Sequence, residues 1–156
     1  MPLETKHNLN KDTIKKVQDL IQINIDSKKG FAEAAAQIED VTIGAAFSEF
    51  SKQRSEFAEQ LQQYVSWSGE TPVEEGSYAG AVHRTWLDLR AKLNGGDSLA
   101  VLSEAERGED HIKSAYEDAL KATTGSAVSD VLHQQYAIIK NGHDRIRDLR
   151  DEYKSE

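Results

Sequence analysis

The chain of 156 residues contains no cysteine, which excludes disulfides, thiolate catalysis and sulfur-ligated metals. Two prolines and ten glycines are too few interruptions to prevent long helices. An excess of basic charge is also missing. Nineteen Lys and Arg stand against 27 Asp and Glu, giving a formal net charge of −8, so no concentrated patch for a phosphate backbone is expected. No run is apolar enough to span a bilayer, and no signal-peptide core opens the chain. The expectation is a cytoplasmic protein that binds neither membrane nor nucleic acid. There is no Gly-rich phosphate loop, no convincing Ser-His-Asp set and no period-two strand pattern.

What the chain does have is apolar residues at three-and-four spacing, the mark of core-facing helices. Residues 1–9 read as a loose lead-in, with Asn8 or Asn10 as N-cap. Residues 10–154 read as one domain, with helices over about 10–39, 43–67, 78–93, 98–123 and 128–153. The first carries Ile14, Val17, Ile21, Ile25 and Ala35, with Asn24 and Lys28 on the same stripe. The second carries Ile43, Phe47, Phe50, Phe57 and Leu61, with Arg54 midway. The last carries Leu132, Tyr136, Ile139, His143 and Ile146. Trp67 and Trp86 are expected to pack where the connection between hairpins meets the bundle.

Ser98–Leu120 is the most informative stretch. Its stripe runs Leu102, Ala105, Ile112, Tyr116 and Ala119, and Glu109 falls on it where a hydrophobe belongs. A carboxylate there must be paired, protonated or metal-bound. A weak internal echo sets Asn24 opposite Glu109 and Arg54 opposite Lys140, at near-equal offsets. Two related hairpins joined by a long crossover that carries a short extra helix make an all-α, ferritin-like four-helix bundle.

The phrases KGFAEAA (29–35), QRSEFAEQL (53–61), AGAVHRTWLDL (79–89), ERGEDHIKSAYEDAL (106–120) and QYAIIKNGHDRIRDLRD (135–151) resemble an uncharacterised bacterial ferritin-like family. The resemblance covers nearly the whole chain. It implies a four-helix bundle and no assigned activity.

Ferritin-like dinuclear centres take one Glu from each of two helices and Glu-x-x-His from each of the other two. On the echo above, Asn24 replaces the first Glu, Arg54 and Phe57 replace one Glu-x-x-His, and Lys140 replaces the Glu before His143. Two of six ligands, Glu109 and His143, remain. The expectation is therefore a degenerate metal site occupied by a buried polar cluster of Asn24, Arg54, Glu109 and His143. Arg suits a buried pair with a carboxylate. On this reading the protein is a non-enzymatic structural, stress-associated or partner-binding module without cofactor. A homodimer or another protein is the partner class left open. The alternative is a protein, enzyme or not, that binds a single zinc, iron or manganese ion through Glu109 and His143, with Glu106 or Asp110 as neighbours.

Overall fold

The computed structural model describes residues 4–75, 89 and 97–155. Four long helices carry them: α1 (Lys11–Gln37), α2 (Val41–Trp67), α3 (Ser98–Ala122) and α4 (Ser129–Lys154). Among the described residues there is no strand, only an isolated bridge between Thr5 and Asn8. The chain is an all-α four-helix bundle. The helix expected over 78–93, with His83 and Trp86, lies outside the described residues. Leu89 alone is described there, and it is buried.

Local chemistry fixes where the helices begin. The Asp40 carboxylate accepts from the Ile43 N–H at 3.0 Å, and Asp97 accepts from the Ala100 N–H at 3.2 Å. Each satisfies a donor that the first helical turn leaves open. Asp40 thereby starts α2 two residues earlier than the apolar pattern suggests. Asn10 occupies the N-cap position of α1 without a side-chain cap bond, and α1 runs unbroken through Gly30. Beyond α3, Gly125 takes a φ of 80°, a backbone region open to glycine at little cost.

The pairing of residues sets the helix directions. Early α1 meets late α3, since Lys16, Leu20 and Ile23 share a groove with Ala115, Asp118 and Ala119. Early α2 likewise meets late α4: Glu49 pairs with Arg145, and the Phe57 carbonyl accepts from Gln135 further along. With α1–α2 and α3–α4 as hairpins, α2 and α3 run the same way. The end of α2 and the start of α3 then lie at opposite ends of the bundle, about 40 Å apart for a helix of 27 residues.

The lead-in is not loose. Glu4 accepts hydrogen bonds from the Ser126 hydroxyl and, at 3.1 Å, from the Ala127 N–H. Its other oxygen accepts from the Asn10 N–H at 2.9 Å. Leu9 is buried and donates its N–H to Ser68 Oγ at 3.1 Å. Burial works against charge on Glu4, but bonds from Ser126, Asn10, Thr13 and Ala127 outweigh it and hold its carboxyl below the ordinary value. Trp67 packs at a tilt against His7 of the lead-in, with centroids 5.1 Å apart, and edge-on against Tyr64 at 5.3 Å.

The apolar interior falls into two clusters. One gathers Val17, Ile21, Ile25, Phe57, Leu61, Ile112 and Ile139, among others. The other gathers Phe31, Phe47, Phe50, Leu102, Ala105 and Ile146. The chain crosses from one to the other between Ile25 and Phe31, Phe50 and Phe57, Ala105 and Ile112, and Ile139 and Ile146. What stands in those four gaps is polar or small.

Candidate functional site

α1 contributes Ser27 to the gap between the clusters, with Asn24 one turn earlier at its edge beside Ile25, while α2 contributes Arg54, α3 Glu109 and α4 Gly142. Asn24, Arg54 and Glu109 are wholly buried and Ser27 nearly so. The layer follows from helical spacing, because each of these residues sits one turn from the stripe members on either side.

Arg54 and Glu109 face one another across the bundle diagonal. Arg54 Nη2 donates to Glu109 Oε2 at 2.5 Å, and both side chains are 0% exposed. The guanidinium carbon lies 5.9 Å from the Phe50 centroid and 5.8 Å from that of Phe57. The cation is thus held between one ring of each apolar cluster, which adds favourable contact with both π faces. Gly142 gives the pair its space. A Cβ there would stand 3.1 Å from Phe50 Cε1, 3.4 Å from Glu109 Oε2 and 3.6 Å from Arg54 Nη2.

Asn24 opens a separate chain of buried hydrogen bonds beside the ion pair. Its Nδ2 donates to the Leu20 carbonyl at 2.9 Å and to Tyr116 Oη at 2.8 Å. The Tyr116 hydroxyl donates to Gln135 Oε1 at 2.6 Å, and Gln135 Nε2 donates to Gln60 Oε1 at 2.9 Å. Burial pushes the Tyr116 phenol well above its ordinary value, against smaller opposing effects of the Asn24 bond and the Arg54 charge. It remains a neutral donor, as the chain of bonds requires.

His143 stands outside this layer. Its side chain is 13% exposed, on the flank of the bundle. There Nε2 lies 2.6 Å from Asp110 Oδ1 and Nδ1 lies 3.4 Å from Asp144 Oδ1. Asp110 is therefore beside His143 and away from Glu109, while Glu106 pairs with Arg150. Lys140 is exposed, and Lys28 gives way to Ser27 on the α1 stripe. Among the described residues, no group of three or more His, Asp and Glu side chains is placed to share a metal ion.

The reason lies in the register of α4. Its buried positions are Val128, Leu132, Gln135, Ile139, Gly142 and Ile146. The apolar-looking Tyr136 and His143 each lie one residue off that face. The same face follows from the other hairpin. Ile43, Phe47, Phe50, Arg54, Phe57 and Leu61 are buried in α2, and each has its α4 counterpart 85 residues on. In α1 and α3, Val17, Leu20, Asn24, Ser27, Phe31 and Ala34 correspond at that same spacing to Leu102, Ala105, Glu109, Ile112, Tyr116 and Ala119. One offset for both hairpins would have located Gln135 and Gly142 in the sequence. Following apolar residue type led instead to Tyr136 and His143.

Two comparisons bear on the family. The family described as Domain of unknown function (DUF2383) matches residues 12–122, well over half of the chain. No curated protein matches it significantly.

Proposed function

For a chain that belongs to this family of unknown function, we propose a non-enzymatic, ferritin-like bundle in which an internal ion pair occupies the place of a metal centre. Its role is structural, stress-associated or partner-binding, in a bacterial cytoplasmic setting. The observation that carries this reading is the Arg54–Glu109 contact, at 2.5 Å and wholly buried.

The 85-residue spacing supports it. Carried onto that spacing, the six ligand positions of a ferritin-like dinuclear centre fall at Asn24, Arg54, Phe57, Glu109, Ile139 and Gly142. One carboxylate and no imidazole stand among them. A guanidinium supplies fixed positive charge beside the remaining carboxylate, as a metal would, but it offers no open coordination position. Such a pair, joined here through Glu109 Oε2 alone, gives little net stability over hydrophobes of equal volume, and it fixes partners because breaking it leaves a bare buried charge.

Elemental analysis of protein purified without chelator or affinity tag tests the reading, alongside Glu109→Ala and His143→Ala. Metal-free wild type is the expected result. Stoichiometric zinc, iron or manganese that disappears in both variants would replace it with the metal-binding alternative through Glu109 and His143.

A further inference from the structure

The polar layer contains more hydrogen-bonding capacity than the protein uses. Among the described residues, Arg54 Nε, Glu109 Oε1, Asn24 Oδ1 and Ser27 Oγ are buried without a hydrogen-bond partner. Arg54, Glu109 and Ser27 lie between the apolar clusters, and Asn24 borders them from the edge of the first. Asn24 and Ser27 are three residues apart on one face of α1, and the Ser51 hydroxyl donating to the Lys28 carbonyl at 2.9 Å brings that stretch of α1 level with Arg54. Buried polar atoms in folded proteins are nearly always satisfied, by protein or by ordered water.

We infer that the layer is a binding site for one internal water molecule, held by Glu109 Oε1, Asn24 Oδ1, Arg54 Nε and Ser27 Oγ. The donor and acceptor types fit. Glu109 Oε1 and Asn24 Oδ1 can only accept, so they take both water protons. Arg54 Nε can only donate, and the Ser27 hydroxyl is free to donate, so together they fill both water lone pairs. Ser27 Oγ does not bond even to the carbonyl one turn earlier, the usual partner of a helical serine. Two to four polar partners are what a buried water requires.

The same set selects against other small ligands. A cation would meet the Arg54 guanidinium, and an anion would meet Glu109. A neutral molecule of water size with two donors and two acceptors suits all four atoms. Because apolar clusters close the layer on both sides, the molecule leaves only when the helices part there. Its residence time would be long beside that of surface solvent.

This inference rests on the ion pair being the resident of the layer, and the test separates the two. Oxygen-17 magnetic relaxation dispersion on chelator-treated protein counts long-lived internal water. The expected result is a dispersion in the wild type that falls by one water in Ser27→Val, whose methyl groups displace the molecule. Equal amplitudes in the two proteins, or none in the wild type, overturn the water site. A crystal structure with ordered solvent provides a check that needs no variant. A water peak about 2.7–3.2 Å from Glu109 Oε1 and Arg54 Nε supports the site. A dry layer without metal overturns this inference alone, whereas an anomalous metal peak overturns the proposed function with it.

Discussion

Arg54 is among the largest fully buried side chains of the described residues, and it lies between two apolar clusters. A charge in that position is tolerated only with its partner present. Glu109→Ala or Arg54→Met alone should lower unfolding free energy by about 3–5 kcal/mol, since each strands the opposite charge in the core. The double variant Arg54→Met/Glu109→Leu should lie within about 1 kcal/mol of wild type, or above it. Urea denaturation of the three variants measures this, and additive losses in the double variant would contradict the ion-pair account. Glycine offers a second contrast at this scale. Gly44→Ala meets only Ile38 Cγ2 at 3.6 Å and the Ala35 carbonyl at 3.8 Å, ordinary contacts, so helix propensity should raise stability by about 0.5–1 kcal/mol. Gly142→Ala has the same propensity gain but presses on Phe50 at 3.1 Å. Phe50 is held by Phe31, with ring centroids 5.3 Å apart. Overpacking of about 1–3 kcal/mol should then dominate, for a net loss of about 1 kcal/mol in thermal or urea melts.

At the scale of the helix, α2 depends on Asp40, which caps its first turn and accepts a hydrogen bond from the Tyr153 hydroxyl near the end of α4. The Tyr153 bond, followed by that from the Ile43 N–H, holds the Asp40 carboxyl below its ordinary value of 3.8. A carboxyl depressed in the folded state stabilises the fold above its unfolded value, and that contribution is lost as pH falls through the folded one. Asp40→Asn keeps a competent cap but does not titrate. Stability measured from pH 7 downward should therefore fall less steeply below 3.8 in Asp40→Asn than in wild type. Parallel acid limbs would remove Asp40 from the account. The helices also show what was legible beforehand. Stripes such as Ile43, Phe47 and Phe50 announce α2 because the residue types and the period agree. In α4 they disagree, since the core positions hold Gln135 and Gly142 and the neighbours Tyr136 and His143 look more apolar or more chemical. Glu109 was legible because a carboxylate interrupts a clear stripe. Ser27 was not, because a small hydroxyl leaves no such mark beside Lys28.

For the whole molecule, the four stripes and the two hairpins were open to sequence reasoning, since local period and turn residues dictate them. The division of the interior into two apolar clusters was not, because it depends on polar or small residues from four helices reaching one level. That division has a thermodynamic expectation. Cooperative units of a protein follow contiguous apolar packing, so native-state hydrogen exchange should resolve separate openings on either side of the Arg54–Glu109 layer. In Arg54→Met/Glu109→Leu the clusters become continuous and the openings should merge. A single common isotherm in the wild type would show that the layer does not divide the bundle.

The short strap of residues 4–9 has a mechanical meaning. Glu4 is fastened at Ser126 and Ala127, where α4 begins, while Tyr153, near the far end of α4, is fastened to Asp40. The two attachment points therefore sit at opposite poles of the bundle. Tension applied between residues 4 and 153 would run along the helix axes and load the interior in shear, with many side-chain contacts sharing the force at once. Pulled instead between the Asp40 turn and the end of α4, where both grips share one pole, the same molecule would peel open contact by contact.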